Sequence, residues 1–225
     1  MAWPGGRHQS TTDAGVDAGT GPVQNSSMTP AKRPAKKPAK KPARTPASSA
    51  ARAAVTPDAD RLLAELRRAH DGEPWHGPSR AALLADVAAP DALWHPGGGA
   101  HSIWETVLHM RSWTREVARR AEGGAPASPE DGDWPAIAER AESAWRETLA
   151  SLDAAHQELL AAIRTLPTEQ FAAKVGATRD KPLGTGVSHR AMLLSLAQHD
   201  IYHSGQIAIL KRLARAARGA PMPAP

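Results

Sequence analysis

Cysteine is absent from all 225 residues. That excludes disulfides, zinc–thiolate sites and a protein thiol as nucleophile, so any thiol chemistry must use a sulfur brought by a substrate. Aromatic residues make up only 4% of the chain, and seven of them are Trp, beside a single Tyr and a single Phe. β-Branched residues are scarce relative to alanine and leucine, which favours helix over sheet. No run approaches the ~20 apolar residues of a membrane span. The segment Trp3-Pro4-Gly5-Gly6-Arg7 stands where a secretion signal would need an apolar stretch. These absences lead to the expectation of an all-α, cytoplasmic protein with no membrane partner.

What is present is unevenly spread. The formal net charge is +5, yet residues 1–56 hold nine Lys and Arg against two acids, so the remainder is mildly acidic. Within that leader, AKRPAKKPAKKPARTP places prolines at 34, 38, 42 and 46. Proline every fourth residue forbids a helix and the lysines repel, so an extended, disordered tail is expected. Such a tail suits a weak, salt-sensitive nucleic-acid contact or simple solubilisation. Met28 offers an alternative start before the repeat. The expected division is a basic tail over 1–56, a helical domain over 57–218 and a disordered end over 219–225.

Helix signals fill the middle section. Thr56 and Pro57 open a first helix whose stripe is Leu62, Leu63 and Leu66, stopped by Gly72. A short helix is expected over about 79–87, and strong ones over about 102–121, 136–165 and 188–217. The loop APASPEDGDWP and the stretch 167–187 are too rich in Pro and Gly to join them. Four substantial helices with one short extra helix imply a four-helix bundle.

The chemistry concentrates in HDIYH. His199 and His203 stand four apart, so a helix puts both imidazoles on one face, one turn apart. Met192, Ser195, His199, His203 and Gln206 share that stripe, while Leu193, Leu194, Leu196, Ile201, Ile207 and Leu210 are read as packing residues. Two histidines leave a metal under-bound, and HSIWETVLHM offers His101 and His109 as a third ligand. His109 lies mid-helix between Leu108 and Met110, where a polar side chain is least expected, whereas His101 sits at the helix start.

Taken together, HSIWETVLHM, the DGDWP loop and HDIYHSGQIAILKR resemble the DinB/YfiT-like family of metal-binding four-helix bundles, over roughly residues 58–212 and including PWHGPS. The resemblance implies a divalent ion held by His109, His199 and His203, with no departure at those positions. It also implies a thiol-dependent transferase or isomerase using a low-molecular-weight thiol, and dimers are frequent in the family. Three neutral histidines would leave an open position on the ion, and suit zinc, nickel or iron alike. Glu105 is a candidate general base or surface ion-pair former. Asp200 and Gln206 are candidates for holding the imidazoles, as Glu105 also is, and Tyr202 is a further candidate there or at the substrate. Trp134 is a candidate lid. The expected activity is transfer of an activated thiol or water to a small electrophile. A non-catalytic metal-binding stress protein tethered by its tail, and a metal-dependent hydrolase, are the alternatives.

Overall fold

A computed structural model describes residues 57–219. The basic tail, the Thr56 cap, Met28 and the last six residues lie outside the described part. Within it the chain is helical: α1 (Pro57–His70), α2 (Arg80–Leu84), α3 (Ala89–Ala92), α4 (Ile103–Ala121), α5 (Glu142–Thr165), a 3₁₀ turn (Thr168–Phe171) and α6 (His189–Ala217). No strand occurs among the described residues, only an isolated bridge between Lys174 and Ser188. The all-α bundle expected from composition and periodicity is the fold found. No helix among the described residues is long and apolar enough to cross a membrane.

Local chemistry sets the starts of the long helices. Ser102 and Glu105 form a reciprocal capping box at α4, and the Ser188 hydroxyl accepts the Ala191 N–H at α6. The start of α5 departs from expectation: it begins at Glu142, not near 136. Tertiary contacts explain the shift. Glu142 accepts the Ala89 N–H at 2.7 Å, and Ile137 packs on the core from a non-helical stretch that a continuous helix would swing away. The single short helix expected over 79–87 is replaced by two, α2 and α3, with the Trp145 indole N–H donating to the Val87 carbonyl between them at 2.7 Å.

The core divides into two apolar clusters stacked along the bundle. One gathers Leu62, Leu63 and Leu66 of α1, Val117 and Ala118 of α4, Leu159 and Ile163 of α5, and Leu193 and Leu196 of α6. The other gathers Ile103, Trp104 and Val107 of α4, Trp145 and Leu152 of α5, and Ile207 and Leu210 of α6, with Val87 and Ala92. The early halves of α4 and α5 thus share one cluster and their late halves the other, so these helices run the same way and α6 runs against both. A chain leaving the end of α4 must therefore travel back along the bundle before α5 can begin. Residues 122–141 make that crossover.

The crossover is stitched antiparallel to α4. Ala127 donates its N–H to Glu116, Asp131 pairs with Arg111, and the Ser112 hydroxyl donates to the Gly132 carbonyl. Arg120, 2% exposed, donates to Glu116 and to the carbonyls of Ala127 and Leu183, tying two loops to α4. This path brings DGDWP beside the middle of α4. Leu194 and Ile201, expected to pack, instead face solvent on α6 with Tyr202, Ile209 and Leu213.

Candidate metal centre

Between the two apolar clusters the bundle is crossed by a polar layer. Its buried polar side chains include His109, Ser112 and Thr114 of α4, His156 of α5, and Asp200 and His203 of α6. On one side of α6 lie His109, His199 and His203. Their ligand atoms lie within 4.8 Å of one another, with His109 and His203 buried and His199 half-buried. His109 Nε2 is 2.9 Å from His199 Nε2, and His203 Nε2 is 3.1 Å from it. Three imidazoles around one tetrahedral zinc, at Zn–N distances of 2.0–2.1 Å, would hold their nitrogens about 3.3 Å apart.

The outward nitrogens decide what the inward ones can be. His109 Nδ1–H donates to the Asp133 carbonyl at 2.6 Å, with the Asp133 carboxylate also 3.2 Å away. His203 Nδ1–H donates to Gln206 Oε1 at 2.6 Å. His199 Nδ1 faces the Asp200 carboxylate at 3.8 Å. A neutral imidazole that donates through Nδ1 has only a lone pair at Nε2. The lone pairs of His109 and His203 therefore both point toward His199 Nε2, and the three nitrogens converge on one place that a cation can occupy. The donor set fits a divalent ion, and this three-histidine cluster could bind one.

Electrostatics keep His109 and His203 neutral. Burial, then the neighbouring His199, pull His203 down to about 4 against the opposing pull of the Gln206 hydrogen bond. Burial likewise lowers His109, helped by His199 and opposed by the Asp133 contact. A neutral, unprotonated Nε2 is the form a metal needs.

Trp134 lies parallel to two imidazoles at once, 3.5 Å from the His101 ring centroid and 3.9 Å from that of His109. Two rings so close to one indole can only occupy its opposite faces. The indole is thus clamped between a helix-start histidine and a candidate ligand, still 37% exposed at its rim. His101, the rival third ligand, enters the site through this stack.

Glu105 is occupied elsewhere. One of its oxygens accepts from the Ser102 N–H at 2.8 Å and from the Ser102 hydroxyl at 3.0 Å. His95 and His101 approach the same oxygen at 3.5 and 3.6 Å. Burial raises its pKa, but the Ser102 bonds and the two histidines outweigh that and lower it overall. A carboxylate so engaged is a weak base. Tyr202 is exposed on the outer face, its ring edge-on to His203 at 5.1 Å.

Sequence reading missed a second group on the other side of α6. Arg80 donates to Asp200 Oδ2 at 2.6 Å and to His70 Nδ1 at 2.5 Å. His70 Nε2–H in turn donates to Asp153 at 2.8 Å, and the His70 ring stacks on His156 at 3.8 Å. Arg80 precedes Asp200 by 120 residues and sits in a five-residue helix, so no local pattern could have signalled it. The Asp133 carbonyl was equally invisible, being backbone.

Residues 80–207 match the family model described as DinB superfamily, more than half of the chain and all three histidines. The chain belongs to the DinB superfamily. No curated protein and no solved structure gives a match. In this DinB bundle the site lies on the two long antiparallel helices α4 and α6, and the crossover supplies the Asp133 carbonyl and Trp134 that flank it.

Proposed function

We propose that His109, His199 and His203 hold a divalent ion and that the protein is a metal-dependent enzyme of the DinB type. In this reading it activates a low-molecular-weight thiol or water for transfer to a small electrophile. The convergence of three Nε2 atoms, two of them left as lone pairs by an acceptor at Nδ1, is the observation that carries the reading. A bound ion with an open position supplies Lewis acidity, lowering the pKa of a thiol or water at neutral pH. The absence of cysteine supports a thiol arriving as substrate.

The chain's own residues supply orientation. The Asp133 carbonyl and Gln206 fix which nitrogen of His109 and of His203 faces inward, and such partners hold affinity as well as geometry. Trp134 braces His109 on its exposed side and limits water there.

The test has two parts. Elemental analysis of purified protein should find about one divalent ion per chain, lost from His109→Ala. Metal-loaded protein given a panel of small thiols and electrophiles should consume both, and His203→Ala should not. Full metal occupancy in His109→Ala would sink the site. Ester or amide cleavage without added thiol would redirect the reading to water as nucleophile.

A further inference from the structure

The polar layer continues behind the site into a buried ion pair that the three-histidine reading does not use. Arg80 is 2% exposed and Asp200 6%, and their contact at 2.6 Å spans the wall between α2 and α6. A buried ion pair is a poor stabilising device, since desolving both charges offsets most of their attraction, and apolar residues of similar volume serve stability as well. Its geometry suggests another task.

Asp200 uses only Oδ2 on Arg80. Its Oδ1 is buried without a hydrogen-bond partner, and so is His199 Nδ1, 3.8 Å away. Every other imidazole of the site has a close acceptor at Nδ1. A rotation bringing these two atoms about 1 Å closer would complete the third such bond. Arg80 is itself held from behind. Its guanidinium can only donate, so His70 Nδ1 must accept, which puts the His70 proton on Nε2, where Asp153 receives it. Asp153, His70, Arg80 and Asp200 thus form one hydrogen-bonded chain that runs from the surface to within 3.8 Å of His199.

We propose that Arg80 is a positioning residue: acting through Asp200, it sets the orientation of the His199 imidazole and hence how tightly the site holds its ion. The inference rests on the three-histidine reading above. It places the docking of the short helix α2, far from the histidines in sequence, in control of the metal site.

Cobalt(II) tests it, since its visible d–d bands report ligand geometry independently of turnover. Full-length wild type, Arg80→Met, Arg80→Lys, Asp200→Asn and the Arg80→Met/Asp200→Asn double variant would be titrated against a competing chelator. His203→Ala serves as control and apo melting curves check folding. Arg80→Met should weaken cobalt binding about 10–100-fold and shift the d–d bands, the usual scale for a group acting behind a ligand. Arg80→Lys should recover part of that loss by keeping a cation on Asp200. Arg80→Met should add little loss to Asp200→Asn, because both break the same link. A folded Arg80→Met that binds cobalt as wild type does, or losses that simply add, overturns the proposal. Should Arg80→Met fail to fold, unchanged affinity in Asp200→Asn overturns it. Wild type that ignores cobalt, or His203→Ala that binds it equally, instead overturns the metal reading itself.

Discussion

Two groups of histidines share the polar layer and differ in what holds them. In the first, His109 and His203 each give an Nδ1 proton to an oxygen at 2.6 Å, and their Nε2 atoms converge on that of His199. In the second, His70 and His156 stack face to face, and His156 is 1% exposed with neither nitrogen hydrogen-bonded to the protein. Residue type and burial are alike. The destination of the lone pair separates a candidate ligand set from a packed pair: that of His70, whose proton goes to Asp153, is already taken by Arg80, whereas those of His109 and His203 point toward His199.

The largest effect that would break this contrast is at a ligand. His203→Ala should abolish stoichiometric binding of zinc or nickel measured by calorimetry, while the apo protein keeps its helical circular dichroism. Next comes an acceptor. Gln206→Leu frees His203 to protonate at either nitrogen and should weaken zinc binding about 10–100-fold in a chelator competition. An unchanged affinity would mean that the acceptors do not organise the site.

The second group should answer to acid instead. Burial, then His70 and Arg80, pull His156 down to about 3 from its ordinary 6.5, against the weaker upward influence of Asp200 and Asp153. The folded state therefore favours the neutral ring, and the unfolded chain binds the extra proton between those values. Stability rises with pH through that window and is lost as pH falls below about 6.5 toward 3. His156→Leu, which also removes two unpartnered nitrogens, should flatten this part of an acid-denaturation series. Its zinc affinity should match wild type, and its stability at pH 7.5 should change by only about 1 kcal/mol. An equally steep acid limb in the variant would assign the sensitivity to other groups.

The smallest effect is expected at Glu105→Gln. Gln can replace Glu in a capping box, so melting should shift by no more than about 0.5 kcal/mol in stability. A large loss of thiol consumption with intact metal in that variant would move Glu105 from helix cap to base.

Much of the site was legible because helices convert spacing into direction. His199 and His203 lie one turn apart whatever surrounds them, and His109 between Leu108 and Met110 marks a polar residue on a buried face. Glu105 has a local role as well, since Ser102 three residues earlier supplies its capping partner. Leu194 and Ile201 are apolar by type but face outward, which apolar identity alone does not reveal.

By itself the sequence determined the existence of the long helices and the pairing of two histidines, because each depends on residues within a few turns. The tertiary structure decided what depends on residues far apart. The parallel course of α4 and α5 forces the crossover back along α4, delivering the Asp133 carbonyl and Trp134 to His109. The docking of α2 delivers Arg80 to Asp200 across 120 residues. Spacing places the candidate ligands, but only packed neighbours decide which nitrogen of His109 and of His203 faces inward.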